Sequence, residues 1–183
     1  MVVIPINNGR LQAVSALDLA TVWLTDALPT RAISVAGAIA PSIYEQQSLS
    51  TLALGDDCVY AFTAEADWSR TYGGYSLCVD LKTGAIHWIQ RNQDAGYYWA
   101  GAAHLNGFLL VAGDDGRLCA IAADSMTGTA SGALDLGAPV RSTIVNSDDV
   151  AYVVTTDGVL HKVTVGSTGQ PRELARVSFA DYS

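Results

Sequence analysis

The chain has 183 residues, half of them apolar, with 10 basic and 18 acidic side chains for a net charge of -8. That field repels nucleic acid and no Lys/Arg cluster overcomes it locally, so nucleic-acid binding is not expected. The sequence has no apolar run of 18 residues, which argues against insertion into a membrane as a helix.

Seventeen glycines and strand-length apolar runs point to an all-β chain rich in turns. The N-terminal MVVIPINNGRL has neither a basic lead nor an apolar run of signal-peptide length, and it opens inside a repeated pattern. The expectation is a fragment of a parent protein, whose export or display at the cell surface would depend on a signal outside this stretch.

In chain order, residues 2–6 and 11–14 read as strands around the hairpin turn Asn7-Asn8-Gly9, and residues 21–25 as a third strand. This first unit, residues 1–29, is partial because no strand precedes it. Residues 30–47 form an irregular insertion in which 33–39 reads as a strand. The second unit, 48–91, has strands near 49–54 and 58–64. A polar and aromatic insertion at 65–73 follows, then GYSLCVDLKTGAIHW from Gly74 to Trp88. The third unit, 98–137, has strands near 99–105, 108–112, 117–122 and 130–136. The fourth, 140–180, has strands near 141–146, 150–155, 159–164 and 173–179. The pairs Asp56-Asp57, Asp114-Asp115 and Asp148-Asp149 fall at hairpin turns, where Asp bonds its own backbone. Their spacing lacks the alternating ligands of a calcium loop.

The Gly74 stretch recurs as GRLCAIAADSMTG from Gly116 and GVLHKVTVGSTG from Gly158, each glycine 42 residues after the last, with a looser copy from Gly9. Both parities are apolar in several strands, as in Leu118 and Ala120 against Cys119 and Ile121, so these strands need cover on both faces. Stacked four-stranded antiparallel sheets supply that cover, and a repeat near 42 residues is a blade length. A two-sheet sandwich would give no reason for the period. The fold expected is a single all-β repeat domain over residues 1–183: a β-propeller-like array of about four four-stranded blades, open or incomplete. An open array leaves an apolar blade face uncovered at each end, which a protein partner, a second copy or residues 30–47 could cover.

The spacing small residue, any, Asp, three residues, Gly, three residues, Trp is met by Cys78, Asp80, Gly84 and Trp88. It resembles the tryptophan-docking repeat of the quinoprotein-alcohol-dehydrogenase-like (PQQ-like repeat) β-propellers, which include an outer-membrane assembly lipoprotein. Ala13 and Trp23 fit, with Ser15 and Leu19 in place of Asp and Gly. Ala120 and Gly128 fit after an insertion, with Leu134 or Leu136 where Trp would stand. Lys162 and Gly169 give the weakest copy. The resemblance implies that the Trp residues pack between adjacent blades.

Chemistry is sparse in the sequence. Cys58, Cys78 and Cys119 form no CxxC pair and read as small buried hydrophobes. Cys78 and Cys119 are offset by one in the repeat frame, so they point to opposite faces of their blades. His87, His104 and His161 lack a second ligand at close spacing. There is no G-x-S-x-G elbow and no phosphate loop. The quinone platform and calcium ligands of the quinoprotein enzymes cannot be picked out either. No catalytic, metal or cofactor residue is assigned, and no cofactor is expected. The candidate interaction surface is Trp68, Arg70, Tyr72 and Tyr75, with Tyr97, Tyr98 and Trp99 in the next link, because exposed aromatic rings and Arg are what binding hot spots favour. The same rings could also pack over blade edges. The function expected is a non-catalytic scaffold or protein-interaction segment. The alternative is a fragment of a larger quinoprotein-like enzyme or carbohydrate-binding propeller whose active groups lie outside this chain.

Overall fold

The computed structural model describes residues 1–6, 10–26, 32–35, 38–41, 47–48, 52–66, 71–93, 95–97 and 99–179. Blade 1 is a three-stranded antiparallel sheet of β1 (Val2–Ile6), β2 (Arg10–Val14) and β3 (Thr21–Leu24) in that order. A hairpin of β4 (Ala32–Val35) and β5 (Ala38–Pro41) follows. It replaces the single strand expected at 33–39, and pairing lets each strand satisfy the backbone groups of the other.

Blade 2 contains β8 (Cys58–Ala66), β9 (Thr71–Asp80) and β10 (Ile86–Asn92), with the short strands β6 (Gln47–Ser48) and β7 (Ala53–Leu54) both paired to β8. Blade 3 is β11 (Ala103–Leu105), β12 (Phe108–Ala112), β13 (Arg117–Ala122) and β14 (Ala130–Asp135). Blade 4 is β15 (Val145–Ser147), β16 (Val150–Val154), β17 (Val159–Val165) and β18 (Pro171–Ser178). The result is an all-β arrangement of four antiparallel blades, none closed into a barrel. No helix among the described residues is long and apolar enough to cross a membrane.

The core is three apolar layers, one at each blade junction. Leu11, Ala13 and Trp23 of blade 1 meet Val59, Ala61, Leu77 and Val79 of blade 2. Tyr60, Phe62, Cys78 and Trp88 from the other side of blade 2 meet Leu109, Val111 and Ile121 of blade 3. Leu110, Leu118 and Ala120 meet Ala151, Val153 and Val163 of blade 4. Each blade thus has a forward face toward its successor and a rear face toward its predecessor. The two-residue alternation of a strand supplies both. Cys78 and Cys119 do point to opposite faces of their own blades, and stacking brings both into the layer between blades 2 and 3.

The four blades share one irregularity. The third and fourth strands slip register after Ala13, Cys78, Ala120 and Lys162, which are equivalent points. The residues facing them are Trp23, Trp88, Gly132 and Ala175. The Trp position of blade 3 is therefore Gly132, four residues after Gly128 as Trp88 is after Gly84, and not Leu134 or Leu136 as expected. The bulge places an extra residue, Ser131, in the strand.

The turn between the third and fourth strands is also shared. Gly84 N–H donates to Asp80 O at 3.0 Å, and Leu19 N–H donates to Ser15 O at 3.0 Å. Leu19 has φ 61°, in the region held by Gly84, Gly128 and Gly169 in the other blades. A Cβ on Gly84 would lie 2.7 Å from Trp23 Cδ2, and one on Gly128 would land on the Trp88 ring. Trp23 Nε1 donates to Leu81 O at 3.0 Å. Each Trp thus lies on the turn glycine of the next blade. At the third junction Phe108 lies against Gly169, and Gln170 fills the space beside Gly132 while its Nε2 donates to Ala133 O at 2.8 Å.

Candidate interaction site

Strand alternation puts the Asp80–Gly84 type of turn on one rim, here the lower. The ends of β8 and β10, the Asp114-Asp115-Gly116 turn and the links between blades lie on the upper rim. The link 95–97 is pinned there: Tyr97 N–H donates to Thr63 O at 3.1 Å and Asp114 N–H to Gly96 O at 2.8 Å. The Tyr97 ring meets Phe62 at 5.5 Å with an interplanar angle of 63°. Burial, with the nearby Cys119, pushes its hydroxyl up to about 12, so it stays protonated.

Tyr97 lines a groove of about 490 Å³ between β10 and β14 whose floor includes Val111 and Ile121. Arg91, Asn92, Asp115 and Arg117 line it as well. Asn92 Nδ2 donates to Asp115 Oδ2 at 3.1 Å, tying the two blades together across the groove. The Arg91 guanidinium lies 5.9 Å from the Tyr75 ring centre, a cation–π contact. Trp99 stands outside the groove on a turn with φ 55° and is 58% exposed.

Of the surface expected from the sequence, the structure brings Tyr97 into this groove and Tyr75 beside it through Arg91. Trp68, Arg70 and Tyr98 lie outside the described residues. Tyr72 is described only as part of β9. Arg91, Asn92, Asp115 and Arg117 were not anticipated. The polar run Arg91-Asn92-Gln93-Asp94 after an otherwise apolar blade was the signal available.

A second cavity of about 500 Å³ opens on the lower rim, lined by Cys58, Cys78, Asp80, His87, Asp124 and Met126 among others. It looks more reactive than it is. Asp80 accepts from Thr83 Oγ1 at 2.8 Å and from Thr83 N and Lys82 N, with His87 Nε2 at 3.3 Å, and these bonds, Thr83 first, hold its carboxyl at about 2. Asp80 is thus a turn-builder that stays ionised and cannot serve as an acid. Burial, then the hydrogen bond with Cys58, pushes the Cys78 thiol up to about 12, away from the thiolate a nucleophile needs. Cys119 is raised by burial in the same way.

His161 lies between Thr155 Oγ1 at 3.2 Å and Glu173 Oε1 at 2.7 Å, and Thr155 donates to Asp157 at 2.6 Å. This chain resembles a relay, but His161 is 2% exposed and sealed within blade 4, so it braces the sheet. Asp114 pairs with Arg141 at 2.8 Å, and Asp148 has φ 52°, both fitting turn roles. Among the described residues no group of three or more His, Cys, Asp or Glu side chains could hold a metal ion.

No family model matches the sequence, and no curated protein does. Solved structures do. The crystal structure of BamB from Moraxella catarrhalis superposes with a TM-score of 0.63 at 14% identity, over 96% of this chain and 48% of that one. The computationally designed Ika8 protein superposes with a TM-score of 0.66 at 9% identity, over 96% of this chain and 45% of that one. The likeness is one of fold. It is a distant match to a PQQ-like β-propeller in an open sheet arrangement, and the chain spans about half the length of the structures it matches.

Proposed function

We propose that the chain is a non-catalytic propeller-type scaffold that engages a protein partner through the groove between blades 2 and 3. The observation that carries this reading is the groove itself: an apolar floor with a phenol and two guanidinium groups at its walls, the side-chain types that dominate binding energy. Cys119, the thiol that lines it, is raised by burial away from the thiolate a nucleophile needs, which supports binding over turnover.

A photo-crosslinking side chain at Gln93 tests this reading, with the same group at Lys82 on the lower rim as control. The expected result is one discrete adduct from Gln93 that is lost in Arg91→Ala. Equal labelling from both rims, or none from Gln93, overturns it. The half-length match favours one second reading, a fragment of a larger enzyme or carbohydrate-binding propeller with active groups outside the chain. Saturable binding on a glycan array that is lost in Asn92→Ala would select that reading.

A further inference from the structure

Three forward faces pack on three rear faces within the chain, and among the described residues no further blade covers the rear face of blade 1 or the forward face of blade 4. Both are apolar. On blade 1, Val2, Ile4 and Leu24 are 46%, 38% and 48% exposed; on blade 4, Val145, Val154 and Val177 are 60%, 39% and 47% exposed. We propose that these two faces cover each other between two copies of the chain, blade 4 of each docking on blade 1 of the other, to close a two-chain ring.

The lower rim carries the most specific support. Inside the chain, a large residue on the forward face, Trp23 or Trp88, lies on a small one, Gly84 or Gly128, in the next turn. At the two free faces the sizes are exchanged. The Trp position of blade 4 is Ala175, and the turn of blade 1 carries Leu19, which is 73% exposed and keeps a left-handed backbone that glycine would adopt without strain. The small residue thus waits on the forward face and the large one in the turn.

The face centres match in the same sense. Lys162 occupies the position of Ala13, Cys78 and Ala120, and Gln12 that of Leu77 and Cys119. Ala13 shares a core layer with Leu77, and Cys78 with Cys119. Docking therefore brings the Lys162 ammonium to Gln12, whose Nε2 already donates to Thr21 Oγ1 at 2.8 Å and whose Oε1 can accept. The chain superposes on 48% and 45% of two single-chain structures, so two copies together match about the length of one of them, and two is the copy number proposed. A head-to-tail contact closes into a ring when its rotation divides the circle, and otherwise grows into a filament.

The inference deepens the scaffold reading and rests on it only in treating blade faces as binding surfaces. The test is the mass of the chain in solution by light scattering across a concentration series. Twice the chain mass is expected at high concentration. Leu19→Gly should relieve the turn and raise the melting temperature of the monomer while weakening the dimer about tenfold, the loss of one buried leucine contact. Ala175→Trp should weaken it through collision with Leu19, and Leu19→Gly with Ala175→Trp should restore it by recreating the interior pairing. A wild-type monomer throughout, a dimer indifferent to all three variants, or a mass that grows without limit would overturn the proposal. None of these outcomes affects the Gln93 adduct, so the rim reading stands or falls separately.

Discussion

The junctions between blades 1 and 2 and between blades 2 and 3 are built on a tryptophan over a glycine, whereas the junction between blades 3 and 4 has glycine on both sides. At the first two, one side chain does the work: Trp88 is 6% exposed and joins Tyr60, Leu109 and Ile121 in one layer. At the third, Phe108, Gln170 and a larger aliphatic layer share it. The same geometric slot can therefore be filled by one large ring or by several smaller groups converging from both blades. The two solutions differ in how they should fail.

Trp88→Ala is expected to give the largest effect, about 3–5 kcal/mol by urea denaturation, through lost burial and the cavity left behind. Because nearest-neighbour contacts hold a repeat array together, loss of the middle lock should also split the unfolding curve into two transitions. A small shift with a single sharp transition would mean that the Trp is not what couples the blades.

Gly128→Ala comes next. Its φ of 69° disfavours any Cβ, and the added atom would collide with the Trp88 ring, so about 2–3 kcal/mol should be lost. Gly107→Ala is the control. That residue has φ 81° with nothing within 4 Å of the added Cβ, and only the backbone term of about 1–2 kcal/mol should appear. Equal losses at the two positions would show that contact with the Trp adds nothing.

The contrast also marks what could be read from residues alone. The 42-residue period and two-sided apolar strands carried the blade architecture, and Asp80, Gly84 and Trp88 carried the shared turn and the side chain lying across it. Parity carried Cys78 and Cys119 to opposite blade faces. Gly132 stands four residues after Gly128, as Trp88 does after Gly84, but what fills the slot instead of a ring was hidden because Phe108 and Gln170 come from segments outside the motif. The groove was hidden for a related reason. It is made by edge residues of two blades whose juxtaposition depends on stacking, which no periodicity in one strand encodes.

At the third junction the expected loss is smaller and spread out. Gln170→Ala removes the bond to Ala133 O from an exposed side chain and should cost about 0.5–1 kcal/mol. Chemical denaturation should show the shift without splitting the curve. A loss as large as that of Trp88→Ala would erase the distinction between the two kinds of junction.

The smallest effect expected is one of pH, and it arises where the two kinds of junction meet. The His104 ring of blade 3 meets Tyr60 of blade 2 at 5.4 Å, tilted by 51°, and Tyr60 in turn lies 6.0 Å from Trp88. On the other side the His104 carbonyl accepts from Asn146 Nδ2 of blade 4 at 2.9 Å. The imidazole Nε2 is buried with no hydrogen-bond partner, and burial lowers its pKa from the ordinary 6.5, only partly opposed by Asp56. The folded chain therefore keeps His104 neutral where the unfolded chain already binds a proton. Stability from this residue is complete above about pH 6.5 and is lost as the pH falls below it toward the depressed folded value. His104→Phe keeps a ring against Tyr60 and removes the titration. Melting temperatures measured from pH 7.5 to 5.5 should fall more steeply for the wild type than for the variant, and parallel curves would mean that His104 places no proton-linked strain on the junction.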